Sequence, residues 1–139
     1  MKPILTLMLA ACAASGLSCT HGARTTMTPS MTRKALLTAP VDPARPIANI
    51  EVQEVTMAPQ QKAPLHLHPC PTIGVVTHGT ITFQIQGRPP VNLKPGDAFY
   101  EPADVPVARF DNDGHTPATF VVYYLLAANE HETVRILPH

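Results

Sequence analysis

The stretch "KAPLHLHPCPTIGVVTHG", residues 62–79, sets two histidines, His66 and His68, one residue apart inside a proline-studded apolar run. In an extended strand, residues two apart point to the same side at a spacing of about 7 Å, so the two imidazoles suit adjacent positions on one metal ion. Taken alone the spacing is weak, because two surface histidines arise this way by chance. Its meaning depends on what surrounds it.

From Ile47 onward the surroundings read in period two. "IANIEVQEVTM" (47–57) alternates imperfectly, with Ile50 and Val52 on one side and Glu51, Gln53 and Val55 on the other. "IGVV" and "TITFQIQ" flank Thr77-His78-Gly79, which predicts a hairpin turn. In its second arm Ile81, Phe83 and Ile85 share one face, and Thr82, Gln84 and Gln86 the other. "VNL" leads into Lys94-Pro95-Gly96-Asp97, a strong turn signal, and "AFYEP" follows. "VARFDN", "ATFVVYYLL" and "TVRIL" add further strands. No helical period persists. Eight or so short antiparallel strands in about 90 residues predict a small sandwich or barrel.

Composition agrees. A chain of 139 residues suits one domain, and 45% hydrophobic against 14% charged residues suits a real core. Sixteen prolines and seven glycines favour many turns over helical bundles. Ten basic residues balance ten acidic ones, which gives no electrostatic case for nucleic acid or an anionic membrane surface. No Trp, three Tyr and four Phe also argue against base-stacking platforms. No phosphate-binding glycine loop, serine elbow or Cys-x-x-Cys pair occurs. Asp111, Asn112 and Asp113 lack the downstream spacing of a calcium loop and read as a turn.

The N-terminus reads as an address. Lys2 precedes the apolar "ILTLMLAACAASGL", too short for a lasting span, so residues 1–19 are expected to be a signal peptide. Lipoprotein processing at Cys19 or Cys12 and ordinary cleavage within "ACAAS" all predict export to the periplasm or cell envelope, and Cys19 is the favoured lipid anchor. Residues 20–46, rich in Thr, Pro, Ala and Met, are expected to form a flexible tether. Cys70 then stands as a lone thiol, with no disulfide framework.

"HLHPCPTIGVVTHG", "FQIQG" and "LKPGDAFYEP" together resemble the two signature motifs of the cupin superfamily. His66, His68 and Gly79 fall in register with the first motif; Pro95, Gly96, Asp97 and Pro102 fall in register with the second. The resemblance covers residues 47–127 and implies an all-β, single-domain cupin jelly-roll β-barrel over residues 47–139. It also implies a ligand set that this chain only half keeps. The family's Glu falls at Thr72, and its second-motif His at Val107.

Two substitutes are readable. In "AFYEP", Phe99 and Glu101 share a face, and an inward Glu101 would join His66 and His68 as a two-His-one-carboxylate set for Fe(II), Mn(II) or Zn(II). With the facing off by one, Glu101 would sit at the rim in solvent. Cys70 would face inward if the strand continued past His68, but Pro69 and Pro71 bend the chain, and a buried core thiol is the better reading. His21, His78, His115, His131 and His139 read as surface residues. The expectation is therefore an exported cupin holding a divalent metal through His66, His68 and Glu101 and taking a small-molecule ligand. The alternative is a metal-free binding or structural cupin. Cupins of this size often pair through edge strands, so a homodimer is expected through residues 47–57 or "TVRIL".

Overall fold

Among the described residues, alternating apolar residues separated by Pro- and Gly-rich turns produce nine strands and no helix. The computed structural model describes residues 31–41 and 44–138, so the expected signal peptide and the start of the tether lie outside it. The strands are β1 (Asn49–Met57), β2 (His66–Leu67), β3 (Thr72–His78), β4 (Ile81–Ile85), β5 (Val91–Leu93), β6 (Ala98–Glu101), β7 (Val107–Asp111), β8 (Ala118–Leu126) and β9 (Arg135–Ile136). They form two antiparallel sheets, in the orders β1-β8-β3-β6 and β5-β4-β7-β2-β9. The sheets face each other across a shared core. Phe99 and Phe120 from the first meet Phe83 and Phe110 from the second, with ring centroids about 5 to 6 Å apart.

The expected closed jelly-roll barrel is corrected here. The first ladder ends at β1 and β6, the second at β5 and β9, and neither sheet closes on itself. β2 and β9 are two residues long, too short to carry a ladder around a corner. The domain is therefore two open sheets whose interior is reached between their edges.

The hairpin expected at Thr77-His78-Gly79 is also corrected. β3 pairs with β6 and β8, whereas β4 pairs with β5 and β7, so the turn carries the chain from one sheet to the other. Gly79 makes this crossing possible. Its φ is +73°, and a Cβ there would lie 2.8 Å from the Ala118 backbone. The Lys94–Asp97 turn forms as expected. Asp97 N–H donates to the Lys94 carbonyl, its carboxylate accepts from Lys94 N–H, and Gly96 N–H donates to the Val76 carbonyl. It too passes between sheets.

The facing of β4 agrees with its pattern, with Ile81, Phe83 and Ile85 buried. In β1 the inward side chains are Val55 and Met57, and Ile50 and Val52 point to solvent. Asn112 is buried between sheets and ties loops together. Its amide donates to the carbonyls of Ala58 and Thr116 and accepts from Gly114 N–H, while its own N–H donates to the Gln61 carbonyl. The Gln61–Pro64 segment at the mouth of the interior is thereby held in place. The described parts of the expected tether, residues 31–41 and 44–46, have no regular secondary structure. Near its end Arg45 donates to the Pro69 carbonyl and pairs with Glu130.

Candidate metal centre

The three sequence candidates meet in the interior. His66, His68 and Glu101 are all buried, and one donor atom from each lies within 4.8 Å of the others. His66 enters from β2, between β7 and β9. His68 follows it, and the two imidazoles stand edge to face with centroids 5.3 Å apart. Glu101 ends β6.

The ladder places Glu101 beside the position where the cupin pattern has its carboxylate. Thr72, where the cupin pattern has its Glu, is the direct rung partner of Glu101 and also of Tyr124. Rung partners in an antiparallel pair project to the same face with Cβ atoms about 5 Å apart. A carboxylate moved one strand across therefore enters the same space. Thr72 is too short to compete, and its hydroxyl donates to the Cys70 carbonyl at 3.2 Å. The second departure gains no replacement. Val107 is buried in the core directly across the ladder from His66.

Backbone carbonyls set both imidazoles. His66 Nδ1 lies 2.7 Å from the Pro64 carbonyl, and His68 Nδ1 bonds the Thr133 carbonyl. A carbonyl only accepts, so each Nδ1 carries a proton and Nε2 is the nitrogen left for a ligand; at His68 it must first give up the proton it shares with Glu101. His68 Nε2 sits 3.0 Å from one Glu101 oxygen. The other, Oε1, is buried with no hydrogen-bond partner. Two preset nitrogen donors beside a carboxylate with an orphaned oxygen fit a divalent cation, because an ion would satisfy what the protein leaves unpaired.

The electrostatics follow. Burial works against protonation of His68, but the hydrogen bond and charge of Glu101, with help from Thr133, outweigh it and raise its pKa. Tyr124, whose ring lies 5.6 Å from that of His68, is pushed up to about 12 by burial and then by the nearby charge of Glu101. It stays a neutral phenol. Burial likewise raises the Cys70 thiol. Cys70 packs in the core outside the donor cluster, with its sulfur 4.0 Å from the Thr72 hydroxyl. His78, His115 and His131 are exposed, as expected.

The donors open onto a cavity of about 250 Å³ between the sheets, walled by Met57, Phe99, Phe110, Phe120 and Val122. Gln61, Lys62 and Val134 stand at its mouth. The sequence reading missed the two carbonyls and Tyr124. A carbonyl has no side-chain signature, although Pro64 two residues before His66 was a weak hint.

This chain belongs to the cupin-domain family, whose sequence profile, described as "Cupin domain", matches residues 53–124. No curated protein matches it. Among solved structures it is similar to a DMSP lyase from Ruegeria pomeroyi DSS-3, at 23% identity and a TM-score of 0.55, over 63% of this chain and 42% of that one. It is similar to a cupin-superfamily sugar phosphate isomerase from Silicibacter pomeroyi DSS-3, at 26% identity and a TM-score of 0.54, over 66% and 59%. An oxalate oxidase in complex with glycolate matches at 23% identity and a TM-score of 0.56, over 63% and 46%. The chain thus spans less than half the length of the lyase and the oxidase.

Proposed function

We propose that this cupin holds one divalent ion, iron, manganese or zinc, through His66, His68 and Glu101, with a small organic molecule bound beside it. The observation that carries the reading is the buried, unpartnered Oε1 of Glu101 next to two imidazoles whose Nε2 atoms are preset by carbonyls. Lyase, isomerase and oxidase all occur on this fold, so the proposal rests on the donors and not on the likeness. A bound ion would supply Lewis acidity with coordination positions open to water or substrate. The protein supplies the rest. Pro64 and Thr133 fix the imidazoles, Glu101 brings the negative charge absent at Thr72, and the phenylalanine walls exclude bulk water.

Metal analysis of protein purified without a histidine tag tests this. The wild type should retain about one ion per chain, and His66→Ala with His68→Ala should lose it while keeping β-type circular dichroism. Equal metal content in the double mutant refutes the reading. A metal-free binding cupin is the second reading, favoured by the His68–Glu101 contact, which pairs one carboxylate oxygen without any ion. It becomes the better account if Glu101→Gln leaves metal affinity unchanged instead of weakening it about tenfold, or 1.4 kcal/mol.

Two further expectations belong to the same proposal. Lys2 and the apolar run before Cys19 support export with a lipid anchor at the cell envelope. Ile50, Val52 and Tyr123, exposed at 62%, 53% and 39% on the outer face of the β1 sheet, support coverage by a second copy. β1 is also an open nine-residue edge.

A further inference from the structure

We infer that the ligand of this cavity is a one-ended molecule: an apolar body about the size of a substituted benzene ring, with a single anionic oxygen head directed at His66, His68 and Glu101. The head rests on the metal reading above; the apolar body does not. The walls carry the argument. Deep in the cavity the ionisable groups are the His-His-Glu cluster and the neutral Tyr124 phenol, and the facing surfaces are phenylalanine rings, Met57 and Val122. A polyhydroxylated ligand would lose its water there and find few partners, at a cost for every unpaired hydroxyl. An apolar ring loses nothing.

Size agrees. A dry apolar cavity of roughly 150 Å³ takes up benzene, so about 250 Å³ leaves room for a ring with one small head group. The distribution of polarity sets the orientation. Polar groups cluster at the donor end, and the next charged group is Lys62, exposed at the mouth. A ligand with polar groups at both ends and along its sides would match only the two ends. A ring with a carboxylate, phenolate or enolate matches the interior throughout, with the oxygen at the open coordination positions.

The test uses toluene, benzoate and glucose 6-phosphate on the full chain, followed through protein methyl signals in NMR. In chelator-treated protein, toluene should shift the methyl resonances of Met57 and Val122, and glucose 6-phosphate should not. In zinc-loaded protein, benzoate should bind about tenfold tighter than to the metal-free form, with toluene unchanged. Ala63→Phe, which fills the partly exposed mouth, should reduce toluene binding about tenfold without altering circular dichroism. Val134→Asp, at an exposed position on the rim, should weaken it in the same direction without a change in the core. The apolar body is refuted if toluene leaves Met57 and Val122 unmoved, if both mouth variants bind it as the wild type does, or if glucose 6-phosphate binds more tightly than benzoate. If zinc is retained but benzoate gains nothing from it, the placement of the head is refuted while the metal reading stands. If zinc is not retained, the head falls with the metal reading, and the toluene result alone decides the body.

Discussion

Replacing Gly74 by alanine should unseat the wall of the site. Gly74 lies in β3 with its Cα facing the Phe99 ring, and a Cβ there would sit 2.1 Å from Phe99 Cζ and 2.5 Å from Cε1. Carbon atoms rest about 3.5 to 4.0 Å apart, so the ring would have to withdraw by roughly 1.5 Å. It has nowhere to go in the core, because Phe83, Phe110 and Phe120 pack against it. The escape that remains is into the cavity, which Phe99 also lines. Gly→Ala would normally gain about 0.4 to 1 kcal/mol through the unfolded chain. Overpacking costs about 1 to 3 kcal/mol, and a contact this short with backbone on one side and three rings on the other belongs at the upper end. A net loss of about 2 kcal/mol corresponds to a Tm lower by roughly 10 °C in a domain of this size. Thermal unfolding followed by circular dichroism reads it directly. Phe99→Leu should cost stability in the wild type but relieve Gly74→Ala, giving a coupling of about 1 kcal/mol or more in the double-mutant cycle. A Gly74→Ala protein that melts within about 2 °C of the wild type would refute the reasoning.

Other outcomes test other parts of the molecule. In metal-free protein the raised pKa of His68 means that protonation favours the folded state; this contribution is complete below the unfolded value near 6.5 and is lost as pH rises through the folded value. Glu101→Gln removes the partner that raises it, so in urea unfolding the wild type should lose stability relative to the variant as pH rises above the unfolded value near 6.5; a gap independent of pH contradicts the pair. Val52→Asp, on the exposed face of β1, should convert a dimer to monomer in sedimentation at micromolar concentration, and a wild type that is already monomeric removes the proposed interface. Cys19→Ala should move the protein from the membrane to the soluble fraction of a bacterial host; if Cys12→Ala does so instead, the anchor is at Cys12, and if neither does, there is no lipid anchor.

Much of this molecule was open to local reading because local chemistry imposes it. Period-two alternation places Ile81, Phe83 and Ile85 on the buried face of β4 whichever strand lies beside it. The Pro-Gly-Asp turn closes on its own hydrogen bonds. The two histidines share a side because residues two apart in an extended chain must. Glu101 was visible as a candidate for the same reason, two residues beyond the inward Phe99.

Partner choice was not open to such reading, because it depends on residues distant in the chain. Thr77-His78-Gly79 has hairpin chemistry, yet Ala118 presses on Gly79 from a strand some forty residues away, and β3 and β4 part into different sheets. Whether two sheets close into a barrel depends on the lengths of β2 and β9 and on the four edges left unpaired, which no single strand's pattern records. The rung that sets Glu101 opposite Thr72 is a matter of register between β3 and β6. The carbonyls of Pro64 and Thr133 that turn the imidazoles inward carry no side chain to announce them. The amino-acid sequence thus determined the strands, the turns, the cupin pattern and the three candidate donors, since each follows from chemistry within a few residues. Tertiary structure alone decided that the donors meet, which nitrogens they present and what kind of cavity they face, since those depend on which distant strands pack together.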